Sequence, residues 1–384
     1  MNTRLYLDNA ATTPLDPDVF DLMLPYLQER HGNASSLHQE GRQARKAVED
    51  ARRTIAETLS WDPKGILFTS GATEADNLAI FGLAHANPQR RHVICSEIEH
   101  HAVLHPCDWL EQQGYRVTRI PVDESGRVDP QSVSDAIDPD TLLVSIMAGN
   151  NELGVLEPIY DIGTLCRERE VPFHCDAVQA FGRIDLPTQV IDLISLSAHK
   201  LHGPKGVGAL AVAPGVKLMP LIHGGGHERG LRSGTENVAA IAGFAAACRL
   251  MIEQREALTE RLSALRDRLI DAVLSIPATR LNGDRVDSLP HIANFSFAAI
   301  EGESLVMKLD ERGIAASTGS ACSSPNLEPS HVLQAIGVPI EMAHGSLRIS
   351  MGRQTKATDI DSLLAVLPDV VAELRSMSPF KLGA

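Results

Sequence analysis

From residue 66 to residue 212 the chain alternates short apolar runs with amphipathic segments, and this alternation limits its fold more than any single residue does. Residues 66–69, 92–95, 116–120, 142–147, 172–175, 191–196 and 208–212 read as strands. Helical segments separate them, one opening at Ser70-Gly71-Ala72-Thr73, one near Ala102, one at 133–137 and one at 159–169. Strands that alternate with helices over this length build a mostly parallel sheet covered on both faces. The last strand, 208–212, follows a glycine-rich turn and is expected to pair back at an edge. Ligands of such sheets gather beyond the carboxyl ends of the strands.

The flanking segments are more helical. Asp16 and Pro17 can start a helix through Val19, Phe20, Met23 and Leu27, and 39–59 is amphipathic with Ala44, Val48, Ala51, Ile55 and Leu59 on one face. A helix from 236 to 257 continues as charged helix to 274. Beyond it the pattern is mixed: strand 292–297, helix 303–312, strand 314–316, a glycine/serine loop, helix 329–336, strand 347–350 and helix 359–374. A formal charge of −14 argues against a nucleic-acid surface or a polybasic membrane anchor. The N-terminus lacks the apolar core of a signal peptide and no run is long enough to span a bilayer, so a cytoplasmic protein is expected.

Polar residues collect at the strand ends. Lys200, in Ser197-Ala198-His199-Lys200, stands where an apolar strand meets a turn, a setting that favours a neutral amine able to form Schiff bases. Ser70-Gly71-Ala72-Thr73 opens a helix and offers amides and a hydroxyl to an anion. Other strand ends carry Glu99-His100, Gly149-Asn150-Asn151-Glu152 and Asp176-Ala177-Val178-Gln179. Together they make the inventory of a pyridoxal phosphate site. A carboxylate keeps the ring nitrogen protonated, a flat ring stacks, hydroxyls and amides hold the phosphate, and a lysine carries the aldehyde carbon.

S-x-S-A-H-K with its glycines, S-G-A-T-E at 70–74, E-H at 99–100, N-N-E-x-G at 150–154 and D-A-x-Q at 176–179 resemble the class V branch of fold-type-I pyridoxal-phosphate enzymes. D-N-A-A-T-T-P at 8–14, G-N-A-S-S at 32–36, H-G-G-G-H-E-R-G-x-R-S-G-T at 223–235 and S-x-G-S-A-C at 317–322 narrow the resemblance to the NifS/IscS-like cysteine desulfurases. It covers residues 5 to 375. It implies an α/β fold with a large cofactor-binding domain at 15–257 around a seven-stranded sheet. A smaller α+β domain would comprise 1–14 and 258–384. Gly149 stands where the family has a bulkier apolar residue, and His101 where a lysine is common.

The resemblance also implies roles. Lys200 would carry the cofactor and move the Cα proton, and His100 would stack on the ring. Asp176 would pair with the ring nitrogen, with Gln179 and Asn151 near the phenolate and substrate. Ala72, Thr73, Ser197 and His199 would hold the phosphate. Thr235 would reach the phosphate of a second subunit in a homodimer. Arg348 would bind the substrate carboxylate, with Arg353 as the other candidate, and Asn33 would line the substrate pocket. Cys322 lies in a serine-rich stretch without apolar periodicity and reads as solvent-accessible. In the resembling family that cysteine takes sulfur from L-cysteine as a persulfide, releases L-alanine, and passes the sulfur to an acceptor protein for iron–sulfur cluster assembly or thio-modification. The other five cysteines, without a C-x-x-C pair, read as small core residues. Selenocysteine lyase and class V aminotransferase activities are the alternatives that the same cofactor residues would serve.

Overall fold

The computed structural model describes residues 4–319 and 329–379. A two-residue strand, β1 (Leu5–Tyr6), precedes α1 (Pro17–Gln28) and α2 (Gln39–Leu59). The main sheet comprises β2 (Ile66–Thr69), β3 (His92–Ser96), β4 (Arg116–Ile120), β5 (Thr141–Ser145), β6 (Phe173–Asp176), β7 (Leu193–Ser197) and β8 (Gly208–Val212). Helices α3 (Ala72–Ala86), α4 (His101–Gln112), α5 (Pro130–Ala136) and α6 (Ile159–Glu168) connect its strands. The long α7 (Val238–Leu274) then leads to β9 (Thr279–Asn282), β10 (Ile292–Phe297), α8 (Gly302–Glu311) and β11 (Ile314–Ala315). The chain finishes with α9 (His331–Ala335), α10 (Ile340–Ala343), β12 (Ser346–Ser350) and α11 (Ala357–Met377).

The sheet order is β2-β8-β7-β6-β5-β3-β4, with β3 to β7 parallel and β8 antiparallel to both its neighbours. The strand order reverses between β3 and β5, which opens a crevice at their carboxyl ends. The expectation that 208–212 forms an edge is corrected: β8 lies one strand in, and β2 is the edge. Gly-Ala-Leu-Ala-Val is almost wholly buried, and an apolar strand of this kind left unpaired would be a template for aggregation.

The edge that β2 presents is itself satisfied by side chains. Glu228 accepts the Phe68 amide at 2.9 Å and binds Arg52 through two 2.7 Å contacts, while Arg52 also donates to the Ile66 carbonyl at 2.6 Å. Both side chains are buried, so this bidentate pair ties α2 and the glycine-rich 223–235 segment to the sheet. The apolar face of α2 is buried as its spacing requires. Both α1 and α2 pack on α7. There Gly243 lets α7 close on α1: a Cβ at this position would fall 2.5 Å from Met23 Sδ. The helix predicted at 236–274 is one continuous element of 37 residues. Cys95, Cys107, Cys166, Cys175 and Cys248 are all buried, as core residues should be.

A second sheet, β12-β10-β9, is antiparallel, and β1 pairs with β11 in parallel. Between β1 and α1 the segment 8–16 crosses from this small sheet to the end of the large one. Asn9 donates to the Ser350 carbonyl at 3.0 Å, and Thr13 holds the His199 carbonyl and the His202 amide at 2.9 and 2.7 Å. His202 completes the stitch as a neutral ring. Its Nδ1 donates to the Pro14 carbonyl at 3.1 Å, and its Nε2 accepts from the Arg353 amide at 3.2 Å.

Burial pushes the His202 pKa down to about 4. Unfolded histidine titrates near 6.5, so the unfolded chain binds the extra proton between these values and stability falls as pH drops through that window. The full penalty from this one ring is about 3 kcal/mol. A His202→Gln protein should lose less stability than wild type when chemical denaturation is compared at pH 7 and pH 4.5. Equal losses in the two proteins would contradict this account.

Candidate active site

The site is assembled from loops at the carboxyl end of the large sheet. After β2, Gly71 is the N-cap of α3 and has no side chain to cap its first turn, and no atom lies within 4 Å of where its Cβ would be. The open cradle suits an anion at a helix N-terminus. Gly208 at the start of β8 makes room for it, since a methyl there would stand 2.8 Å from Gly71 Cα. Glu74 holds the far side of the turn, accepting the Ser70 amide at 2.8 Å and Arg232 Nε at 2.8 Å.

After β7 comes the lysine. Lys200 Nζ donates to the carbonyls of Ala10 and Ala11 at 2.5 and 2.9 Å, and His199 Nδ1 meets Thr12 Oγ1 at 3.1 Å. Arg183, fully buried without a carboxylate partner among the described residues, binds the Lys200 carbonyl at 2.6 Å and the Gln179 carbonyl at 3.1 Å. It fixes the lysine-bearing turn relative to the one after β6. Burial, with the charges of Lys200 and Lys205 beside it, lowers the His199 pKa to about 4.

β6 delivers Asp176, whose Oδ1 accepts the Val178 amide at 2.9 Å. Burial and the nearby Asp76 carboxyl push Asp176 well above the usual carboxylate range. Gln179 lies one turn on, with Nε2 donating to the Ala10 carbonyl at 2.9 Å. After β3, His100 caps α4 by accepting the Ala102 amide on Nδ1 at 3.1 Å, which leaves the ring proton on Nε2. Burial holds this ring below its ordinary pKa. After β5, Asn150 shapes the loop. Its amide donates to the Ile98 carbonyl at 2.9 Å while its oxygen takes the amides of Glu152 and Leu153, both at 2.8 Å. Gly149 is small because Leu289 leaves only 2.9 Å to a Cβ there.

The small sheet closes the site. Arg348 on β12 is buried and forks between Asp8 Oδ1 and the Asn151 carbonyl, both at 2.9 Å, and reaches the Gly319 carbonyl at 3.5 Å. Its Nε has no partner among the described residues. Arg353 is bound to Asp16 instead and does not line the cavity. Buried Glu152 accepts Ser330 Oγ at 2.6 Å, and burial raises its pKa. Gly319, at φ 93°, and Ser330 thus bring both ends of segment 320–328 to the site. Cys322 lies outside the described residues.

These groups surround a cavity of 620 Å³ lined by Ala72, Thr73, His100, Asn151, Asp176, Gln179, Ser197, His199, Lys200 and Arg348, all expected from the sequence. Asn33 and Thr235 are exposed and lie outside it. The Asn33 side chain turns back to accept the Ser35 amide at 2.8 Å. The two nonetheless share one outer surface: Ser35 Oγ meets His227 Nε2 at 3.2 Å, and the Gly234 amide meets His227 Nδ1 at 3.3 Å. Several cavity residues escaped the sequence reading. Asp76 gave no motif signal, and Glu152 stood in a strand-end motif without an assigned role. His331, with its ring centroid 4.9 Å from that of His101, is brought in by a distant helix. A neighbouring cavity of 590 Å³, lined by Phe81, His105 and Trp109 among others, shares Thr73, His100 and His101.

An anion cradle at one end, buried carboxyls at the other, a lysine between and an imidazole alongside fit pyridoxal phosphate, and in the same cavity both Asp76 carboxylate oxygens lack a donor among the described residues. The fold and this site define a pyridoxal-phosphate enzyme, and the chain belongs to the class-V aminotransferase family, whose model it matches over residues 5–363. Among its relatives is "Cysteine desulfurase IscS" of Methanosarcina thermophila, 50% identical over 98% of this chain and 94% of that protein. A solved NifS-like protein superposes with a TM-score of 0.91 at 36% identity, covering 97% of this chain and all of its own. The structure of SspA in complex with cysteine is similar at TM-score 0.80 and 39% identity, covering 90% and 98%.

The Ser330–Glu152 contact supports both the start of α9 and a buried carboxyl, since Ser330 Oγ also accepts the Val332 amide at 3.1 Å. A Ser330→Ala protein should lose about 1–3 kcal/mol in urea denaturation, the cost of leaving buried polar groups unpaired. An unchanged midpoint would show that the contact contributes nothing.

Proposed function

We propose that the protein is a pyridoxal-phosphate-dependent cysteine desulfurase acting as a homodimer, converting L-cysteine and the Cys322 thiol to L-alanine and a Cys322 persulfide. The observation that carries this reading is the convergence on one cavity of Lys200, Asp176, His100 and Arg348 with Gly319, three residues before Cys322. Three residues span at most about 10 Å, a separation compatible with attack by that thiol on a substrate held in the cavity. Identity of 50% to a protein named as a cysteine desulfurase supports the same conclusion. We adopt the division into a large part, 15–257, and a small part formed by 1–14 and 258–384, as the units between which this site lies.

When bound, pyridoxal phosphate withdraws electrons from the substrate's Cα and so weakens the Cα–H and Cβ–S bonds. The rest is done by the chain. Arg348 takes the substrate carboxylate in its planar fork. The amides at the start of α3, with Thr73, Ser197 and His199, would hold the phosphate. Asp176 would hold the proton at the ring nitrogen, and the His100 ring, its neutral state favoured by burial, would stack on the cofactor. Lys200 receives the Cα proton. The Cys322 thiolate attacks the substrate sulfur, an S–S bond forms, the Cβ–S bond breaks, and Cβ is protonated to give alanine. A protein acceptor then attacks the outer sulfur by exchange. Iron–sulfur cluster assembly or thio-modification would consume it.

Dimerisation is supported by exposed Asn33 and Thr235 on one surface and by exposed Phe20, Leu22, Leu27 and Leu37 on or beside α1 and α2. In this reading Thr235 serves the phosphate of the second copy. With no membrane-crossing helix among the described residues, we place the protein in the cytoplasm.

A Cys322→Ser protein should load the cofactor and bind cysteine yet release no sulfide with dithiothreitol, and undiminished release would remove Cys322 from the reaction. Arg348→Ala should raise KM for cysteine by about tenfold or more through loss of a charged, bidentate contact, whereas Arg353→Ala should leave KM near wild type. The reverse ranking in steady-state alanine formation would exchange their roles.

A further inference from the structure

Asp76 is a carboxylate that neither the packing nor the roles assigned above require. It lies on α3, 1% exposed, and lines the cavity beside His100, Asp176 and Lys200. Neither of its oxygens has a hydrogen-bond donor among the described residues. His174 Nε2 stands 3.5 Å from Oδ1, but the two ring nitrogens already meet Ser195 Oγ and Ser145 Oγ at 2.9 and 2.8 Å. A carboxyl buried without a donor is costly, and such a group persists where a ligand supplies the missing partner.

Its surroundings say which partner. The titratable groups facing Asp76 are His100 at the head of α4, His174, Cys175 and Asp176 on β6, and, through Asp176, Lys200 on the turn after β7. Asp76 and Asp176 are the acids in this set, and both are buried. Two carboxyls facing one buried space cannot both ionise cheaply without a cation between or beside them. A pyridine nitrogen that takes up a proton in the site becomes such a cation.

We propose that Asp76 is a second carboxylate for the cofactor's ring nitrogen: Asp176 contacts the nitrogen, and Asp76 is a positioning residue that acts through Asp176 to hold the proton there. Before loading, burial and the neighbouring Asp76 carboxyl raise Asp176 above the usual carboxylate range and so favour its protonated form. On loading, a carboxyl O–H bond breaks and the ring N–H bond forms, leaving two carboxylates against one pyridinium. The stabilisation is reciprocal. The cofactor gives Asp76 the counter-charge it lacks, and Asp76 makes the nitrogen harder to deprotonate. This rests on the pyridoxal-phosphate reading of the cavity.

The test uses holoenzyme loaded either with pyridoxal phosphate or with its 1-deaza analogue, in which a C–H replaces the ring nitrogen. Loss of bound cofactor on dialysis is followed by absorbance for wild type, Asp76→Asn and, as a second replacement, Asp76→Ser. Asp76→Asn should release pyridoxal phosphate at least about tenfold faster than wild type, equivalent to one unit of proton affinity at the nitrogen. The deaza analogue should leave both proteins at equal rates. Thermal unfolding of the variants stripped of cofactor should match wild type or exceed it, because an unpartnered buried acid has been removed. Equal acceleration for both cofactors, with a lowered unfolding temperature, would assign Asp76 to the fold and overturn the proposal. So would unchanged release of pyridoxal phosphate. Wild-type protein that retains pyridoxal phosphate in either case keeps the functional reading intact; failure to bind it at all would overturn both.

Discussion

Two backbone carbonyls, those of Ala10 and Ala11, hold the amine on which the site turns. They belong to a segment with little regular structure of its own, and it reaches Lys200 because its side chains and backbone are paired on both sides. Ser350 takes it on the small sheet, and His199 and His202 take it on the large one. A break on either side would leave the lysine with its strand but without its setting. The N-terminal residues are therefore part of the cavity, although their neighbours in sequence are a two-residue strand and a helix outside it.

The large sheet was legible because its strands are apolar on both faces and separated by helices, which few other arrangements allow. The edge was misplaced for a definable reason. Apolar content told that β8 is buried but not which strand covers it, and β2 comes from far earlier in the chain. Strand β9 was missed since Thr-Arg-Leu-Asn is half-exposed and carries no alternation strong enough to stand out. The pairing of β1 with β11 spans nearly the whole chain and consists of two residues each, below the reach of any pattern.

At the site, residues in strand-end motifs were legible and those supplied by distance were not. Lys200, His100 and Asp176 announce themselves by residue type and place, whereas Arg348 was expected from the family resemblance alone. Glu152 was visible as a letter in a motif, but its tie to Ser330 joins positions 178 residues apart. Asp76 sits on a helix face where a carboxylate reads as solvated, and only burial reveals that it is not. Asn33 illustrates the opposite case: a motif residue whose own carboxamide closes a local turn outside the cavity.

In the reaction proposed above, where Arg348 takes the substrate carboxylate, its fork has a consequence for how substrate enters. In the chain as it stands, one arm of the guanidinium already rests on a carboxylate, that of Asp8. An amino acid arriving at this arginine meets no bare cation waiting in a dry pocket. It replaces an internal tenant of the same chemical kind, so the electrostatic gain of docking is the difference between two like contacts. In that reaction the product's carboxylate leaves by the same exchange that let the substrate in, and the displaced Asp8 lies at the start of the segment whose carbonyls hold Lys200.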